Sequence, residues 1–257
     1  MNQRWLDRVA SYRPPEETIR VGEYEVAEIA GDAVPKAFVE RHHYSGSYPA
    51  ARFRFGLWRL GVLEGVAVFS HPSNDKVLTN TFPVTALEAV ELGRFVLLDS
   101  VPGNGETWFL GRCFDGLRRH GLFGVVSFSD PTPRTSVAGD SVFPGHVGTI
   151  YQAHNAAYLG RGTPRTLRLL PDGSVLSART AQKIRKLERG WQHAVGQLRA
   201  FGAGPLEGDS TEWLGRWSRE LTRPMRHPGN HKYAWTLNRR HRHHLGAGLP
   251  YPKRIAA

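Results

Sequence analysis

The chain has 257 residues, of which 40% are hydrophobic and 22% charged, so it is expected to be globular, one domain of ordinary size with a substantial appendage. No run of about 18 apolar residues occurs, which excludes a membrane-spanning helix, and a single cysteine, Cys113, excludes an internal disulfide and any multi-cysteine zinc cluster. The net charge of +11 is uneven: residues 1–160 carry 15 Lys and Arg against 17 Asp and Glu, and residues 161–257 carry 19 against 6.

Such an asymmetry points to a near-neutral working domain over 1–160 joined to a basic C-terminal extension over 161–257 that meets a polyanion, nucleic acid first of all. The opening MNQRWLDRVASYRPPEETIR has no apolar core, so no secretory signal is expected and the expected location is the cytoplasm.

In chain order, Glu23 to Ile29 alternates like a strand and Asp32 to Arg41 reads as a helix. Arg52 to Leu60 and Leu63 to Ser70, parted by Gly61, predict a hairpin, and Glu91 to Leu98 a further strand. After the glycine-containing loop VPGNGE comes a helix from Thr107 to His120, whose Phe109, Leu110, Cys113, Phe114 and Leu117 form one apolar stripe. Gly121 is expected to end it in a left-handed cap, Cys113 to be a packed thiol, and Phe123 to Phe128 to be a buried strand. The pattern is that of an α/β fold in which a glycine-bearing turn delivers backbone N–H groups at a helix N-terminus, a place suited to phosphate.

This order resembles the GNAT acyltransferase fold: a mixed central sheet flanked by helices, with an acyl-CoA pyrophosphate loop where this chain has Pro102, Gly103, Asn104, Gly105, Glu106 and Thr107. The loop does not spell the usual Arg/Gln-x-x-Gly-x-Gly/Ala, and an ordinary capped turn fits it as well. The segment IYQAHNAAYLG, residues 150–160, is similar to the segment after the fifth GNAT strand, and the resemblance implies CoA contacts from Asn155 and Tyr158. Tyr151 and Asn155, four apart, share a face if the segment is helical.

The chemistry-bearing residues can be weighed on their own. The segment HHYSGSYP crowds two imidazoles, two phenols and two hydroxyls after a helix, where a loop displays them. His43 can serve as a metal ligand or general base and Tyr44 as a proton donor; alternatively His42 stabilises the helix end and Tyr44 packs beneath it. Asp130 follows a strand end, where open α/β sheets bind substrates, and can orient or deprotonate an exocyclic amine; Asp130-Pro131 can also simply start a turn. Ser127 either faces the cleft or is strand packing, and no G-x-S-x-G surrounds it. Arg94, inside the apolar run LGRFVLL, needs a partner such as Glu91, Asp130 or a substrate phosphate or carbonyl, unless it reaches solvent at an edge.

Taken together, RHHYSGSYP, Arg94 in ELGRFVL, Ser127 and Asp130 in VVSFSDP, and Tyr151 in GTIYQAHN resemble the Mom DNA-modification proteins of phage Mu and related bacteriophages. The resemblance implies a transferase that adds a carbamoylmethyl-type group to adenine N6 in DNA as protection against restriction. It implies a site of His43, Tyr44, Arg94, Ser127, Asp130 and Tyr151, an acetyl-CoA or related acyl-CoA donor, a bacterial host cytoplasm, and for some members iron, with His43 as the candidate ligand.

In the extension, Arg165 to Leu170 and Ser174 to Leu176 flank the turn signal Pro171-Asp172-Gly173 and predict a hairpin. Ser177 is expected to cap a helix reaching Trp191 with Ile184, Leu187 and Trp191 inside and Lys183, Arg185, Lys186 and Arg189 outside. Glu188 is the only acid among those cations, which favours phosphate contact. Thr211 to Leu221, with Trp213, Leu214 and Trp217, is expected to pack on the core. The stretch RPMRHPGNHKYAWTLNRRHRHHLG supplies Arg223, Arg226, Lys232, Arg239, Arg240 and Arg242 for phosphates, and Tyr233 and Trp235 for base stacking. Deleting residues 223–257 is expected to weaken DNA binding and leave the core folded. Double-stranded DNA is thus the expected partner, with a dimer open. Two other classes fit the residues: an acyltransferase acting on a small amine or protein, and a non-catalytic DNA-binding protein on a GNAT-like scaffold.

Overall fold

The computed structural model describes residues 3–6, 9–12, 14 and 16–253. It divides into two compact units, one made of residues 1–131, 146–162 and 230–257, the other of 132–145 and 163–229. The expected break at residue 160 is therefore corrected: the chain leaves the first unit twice, and its last segment returns to it. Counted over these units the charge is shared, 21 cations against 16 acids in the first and 13 against 7 in the second.

The strands are β1 (Gln3–Leu6), β2 (Val9–Tyr12), β3 (Tyr24–Glu28), β4 (Ala51–Arg59), β5 (Val62–Ser70), β6 (Ala89–Leu97), β7 (Gly124–Ser129), β8 (Arg134–Thr135), β9 (Ser141–Phe143), β10 (Ala157–Arg161), β11 (Arg165–Leu169), β12 (Arg223–His227) and β13 (His231–Thr236). The helices are α1 (Ala33–His42), α2 (Lys76–Thr79), α3 (Gly105–Arg119), α4 (Thr149–Ala153), α5 (Ala178–Lys186), α6 (Trp191–Arg199) and α7 (Ser210–Leu221).

In the first unit seven strands form one sheet in the order β10-β13-β7-β6-β5-β4-β3, antiparallel throughout except for the parallel pair β6–β7. This is the mixed α/β architecture expected, a central sheet flanked by helices. Strand β5 reads VAVF without alternation because both its faces are covered. Ala67 and Phe69 pack with the α3 stripe Phe109, Leu110, Cys113, Phe114 and Leu117, and Val66 and Val68 pack with Val39 of α1. Cys113 is fully buried and burial pushes its thiol well up, as befits a packed cysteine. The β4–β5 hairpin turns on Leu60 and Gly61, both at positive φ (48° and 83°), the two-residue geometry that matches strand twist. Gly121, at φ 73°, ends α3 as expected.

Two irregularities prepare the site. The β6–β7 pairing stops at Leu92↔Ser127, yet β6 runs on to Leu97 and β7 to Ser129, so the two strands part and open a cleft at their carboxyl ends. Beside it the β5–β6 register slips between Val68↔Arg94 and Phe69↔Leu92, leaving Gly93 as a bulge. A Cβ there would lie 2.7 Å from the Ser70 hydroxyl and 3.3 Å from Pro49, so a side chain at the bulge would have to push these neighbours aside.

The second unit has its own core of Leu170, Leu176, Ala181, Ile184, Ala194, Val195, Leu198, Ala203, Trp213 and Leu214. Ser177 caps α5 by accepting the Thr180 N–H at 3.0 Å, and Asp209 caps α7 through the N–H groups of Thr211 and Glu212 at 2.9 Å. Two expectations are corrected here and one, the hairpin, is met. Leu187 takes a left-handed φ of 49°, which ends α5 and leaves its side chain exposed, so Leu187 is not on the inner stripe. β11 pairs with β12 on one side, and on the other the expected hairpin about Pro171-Asp172-Gly173 closes through the Leu169–Val175 bridge, with the Leu170 N–H donating to the Ser174 carbonyl and the Leu176 N–H to the Arg168 carbonyl, both at 2.9 Å. Trp213 and Leu214 of α7 are buried in this unit's own core.

Candidate active site

The opening between β6 and β7 gathers the six residues expected at the reaction centre, with others the sequence did not mark. His43 and Tyr44 follow α1 with their rings 4.1 Å apart. The Ser45 N–H and hydroxyl both reach His43 Nδ1, at 3.2 and 2.9 Å, which places the proton of the neutral ring on Nε2. Burial and the nearby Arg94 charge hold His43 well below the usual imidazole range.

Tyr44 is 37% exposed, and its hydroxyl lies 3.3 Å from His146 Nε2. The backbone N–H of His146 donates to the Asp130 carbonyl at 2.8 Å. Burial draws the His146 imidazole down to about 4, opposed by the Asp130 carboxylate, so at neutral pH the ring is uncharged. His146, in FPGHVG, was missed from sequence; its position between Asp130 and Tyr151 in the chain was the available signal.

Arg94 has the specific partner its burial demands. Its Nε donates to the Ser47 carbonyl and a terminal nitrogen to the Ser47 hydroxyl, both at 2.8 Å, and the other terminal nitrogen to the Gly93 carbonyl at 2.6 Å. The guanidinium thereby ties the bulge of β6 to the loop that carries His43 and Tyr44. Tyr44, Glu91 and Tyr151 are all close enough to act on its charge. Ser127, fully buried, donates to the Leu92 carbonyl at 3.1 Å and lies beside the Tyr151 phenol, whose pKa burial raises. His43, Tyr44, Arg94, Ser127, Asp130 and Tyr151 thus occupy one neighbourhood, joined through Ser47, Glu91 and His146.

Glu91 carries a consequence for pH. Burial raises its carboxyl to about 7 against the opposing pull of Arg94. The folded protein therefore holds more protons than the unfolded chain between the ordinary carboxylate value of 4.5 and about 7, and this group's contribution to stability falls as pH rises through that window. The melting temperature of Glu91→Gln, relative to the parent, is expected to climb between about pH 5 and about pH 8. A constant difference across that range contradicts the assignment.

The expected cofactor residues are placed differently. The Gly103 N–H donates to the Glu17 carboxylate at 3.0 Å, and the Asn104 side chain accepts the Ile19 N–H at 2.7 Å. The Thr107 hydroxyl donates to the Asn104 carbonyl at 3.1 Å, Gly105 and Glu106 are buried, and Pro102 accepts the Gly105 N–H. The loop thus meets an anion, but one supplied by the chain's own N-terminal segment. Neither Asn155 nor Tyr158 shares a helix face with Tyr151. Helix α4 ends at Ala153, Asn155 turns out of it at φ 56°, and Tyr158 lies on β10 with its hydroxyl 2.8 Å from His231 Nδ1.

Among the described residues no group of three or more His, Cys, Asp and Glu side chains could hold a metal ion, and His43 Nδ1 is already engaged by Ser45. The residues present do not fit the iron that the resemblance implies.

Of the expected DNA contacts, Arg185, Lys186 and Arg189 are exposed on the second unit, with no carboxylate paired to them among the described residues; Glu188 pairs with Arg179 instead, at 2.6 Å. Lys183 is half-buried beside them. Arg223 and Arg226 lie on β12, where Arg223 donates to the Thr135 carbonyl at 2.5 Å. In the first unit Arg239, Arg240 and Arg242 are exposed on a 3₁₀ helix, Arg239–Leu245. Three residues are corrected. Tyr233 and Trp235 are buried because β13 is an interior strand, Tyr233 donating to the Val147 carbonyl and Trp235 to the His154 carbonyl at 3.0 Å, so neither can stack on a base. Lys232 is half-buried and donates to the Thr81 hydroxyl at 2.6 Å.

No helix of the described residues is long and apolar enough to cross a membrane. No curated protein matches the sequence. Similar solved structures include an N-acetyltransferase from Staphylococcus aureus Mu50, 12% identical over 72% of this chain and 68% of that one, with a TM-score of 0.32. They also include a tandem GNAT protein from the clavulanic acid biosynthesis pathway, 9% identical over 84% and 99% of the chains with a TM-score of 0.45. A third is the AHL synthase LasI, 11% identical over 90% and 98%, with a TM-score of 0.36. A family model described as the Mom protein family matches residues 23–253, nearly the whole length, and the chain belongs to that family.

Proposed function

We propose that the protein is a transferase that attaches a small acyl-derived group of the carbamoylmethyl type to N6 of adenine in double-stranded DNA, and so protects that DNA from restriction. The observation that carries the reading is the convergence of Tyr44, His146, Asp130, Arg94, Ser127 and Tyr151 at the β6–β7 opening of a Mom-family chain.

The N6 lone pair is delocalised into the purine ring, so bond formation there needs a base to take the N6 proton. The Asp130 carboxylate beside the neutral His146 can take that proton, and as the N6–carbon bond forms and the bond from that carbon to the donor's leaving group breaks, the half-open Tyr44 phenol can give the leaving group a proton. Arg94 sets the loop that presents Tyr44, and Tyr151 with Ser127 forms the other wall. A target base must leave the duplex to enter such a cleft, and the exposed cations of the two units provide phosphate contacts that would hold the DNA.

An acyl-CoA-type donor would bring its pyrophosphate to the Gly103 loop only by displacing Glu17. Glu17→Gln is accordingly expected to tighten CoA binding several-fold by calorimetry; equal binding to both proteins removes the loop from the donor site. For the function itself, DNA from cells expressing the protein is expected to resist endonucleases that have adenine in their recognition sites, and DNA from cells expressing Asp130→Ala to be cut. Full cleavage of both contradicts the reading. Acyl transfer to a small amine at a rate indifferent to DNA would favour the small-amine or protein acyltransferase.

A further inference from the structure

Beyond the residues assigned above, the cleft holds two polar atoms that nothing in the described structure satisfies. Ser129 Oγ and His231 Nε2 are buried without a hydrogen-bond partner, in side chains each 1% exposed. Native proteins seldom keep such atoms, since each has given up its hydrogen bonds to water without replacement. Here the two are neighbours: Ser129 and His231 are register partners on β7 and β13, one step beyond the pair Ser127 and Tyr233. With period-2 alternation all four face the same side of the sheet, the side on which Ser127 meets Tyr151. Because β6 has already parted from β7 at Ser127, Ser129 stands in the mouth of the splay, next to Asp130. His231 is also near enough to His146 for the two rings to influence each other's protonation.

The chemistry of the two atoms is matched. The Tyr158 hydroxyl lies 2.8 Å from His231 Nδ1; with the phenol as donor, the proton of the neutral ring sits on Nε2, as a donor. The Ser129 hydroxyl adds a second donor that can also accept. Two neutral donors side by side, with burial and the nearby Arg161 charge helping to keep the His231 ring unprotonated, suit a carbonyl oxygen.

We infer that Ser129 and His231 form a binding site for the carboxamide end of the transferred group, with Tyr158 as the positioning residue that fixes the His231 tautomer. This rests on the reading that the cleft modifies adenine, and it accounts for specificity toward a polar tail over an apolar one of the same shape.

The test is equilibrium binding of the full-length protein to single-stranded oligonucleotides that carry N6-carbamoylmethyladenine, its shape-matched N6-isobutyl analogue, or unmodified adenine at one position. The parent is expected to prefer the carbamoylmethyl over the isobutyl probe by roughly 10-fold, on the order of two neutral hydrogen bonds. Ser129→Ala, and His231→Asn, which keeps a partner for Tyr158 and loses Nε2, are each expected to cut that preference to about 2- to 3-fold. Ser129→Ala removes an unsatisfied hydroxyl, so its melting temperature without DNA is expected to equal or exceed the parent's, whereas a merely structural Ser129 would lower it. Equal binding of the two modified probes by the parent, or an undiminished preference in both variants, overturns the inference while leaving adenine modification standing. Modified probes that bind no better than unmodified adenine, with unaltered nucleosides in cellular DNA, overturn the modification reading and the inference with it.

Discussion

Arg94→Gln is expected to lower the yield of modified adenine by about two to three orders of magnitude in a protein that still folds. The guanidinium makes three hydrogen bonds that tie the Gly93 bulge to Ser47, four and three residues beyond His43 and Tyr44. Glutamine cannot span both Ser47 contacts, so the loop loses its register with the cleft. A displacement of about 1 Å at reacting groups is enough to cost on the order of a hundredfold. Removing the charge also leaves burial unopposed at Glu91, which drives that carboxyl further toward its neutral form and spares the fold an isolated buried anion. Arg94→Lys is expected to rescue little, because an ammonium is a point donor and cannot reproduce the fork. Ser47→Ala removes one of the bonds and should cost only several-fold. Quantified modified deoxyadenosine, read beside the melting temperature, checks the series; a folded Arg94→Gln with parental yield contradicts the positioning role.

The second large effect concerns DNA. Replacing Lys183, Arg185, Lys186 and Arg189 together by Gln is expected to weaken duplex binding by about a hundredfold at moderate salt and to reduce the slope of log affinity against log salt by about 3 to 4, near 0.9 for each phosphate contact. The second unit should stay folded, since its core is built from Ile184, Leu198, Trp213 and their neighbours and contains none of the four. A salt slope unchanged by the fourfold substitution contradicts their contact with phosphate. The truncation at residue 223 that the charge pattern suggested is the wrong experiment: it removes β13 from between β7 and β10 and takes the sheet with it.

That contrast shows what was legible in the sequence. Elements whose apolar spacing is set by their own neighbours were readable: the α3 stripe, the β4–β5 hairpin, the caps at Ser177 and Gly121. The site loop at His43 and Tyr44, Arg94 with its need for a partner, and Ser127 and Asp130 at a strand end were readable for the same reason, since each is unusual for its local setting. What long-range pairing decides was not. KYAWT, among cations, reads as an exposed aromatic interleave until β7 and β10 flank it and bury Tyr233 and Trp235. His146 and His231 look ordinary in sequence and gain meaning only where β7 leaves β6. Glu17 lies far from the Gly103 loop in sequence, and nothing local marks it as the carboxylate that meets that N–H.

The most direct measurement of the central claim is mass spectrometry of nucleosides digested from the DNA of cells that express the parent protein or the Asp130→Ala, Tyr151→Ala double variant at equal soluble levels. A heavier deoxyadenosine from the parent alone, with an added mass that identifies the transferred group, is the predicted result. Unaltered deoxyadenosine in both, or the same heavier nucleoside in both, contradicts the claim that this cleft modifies adenine.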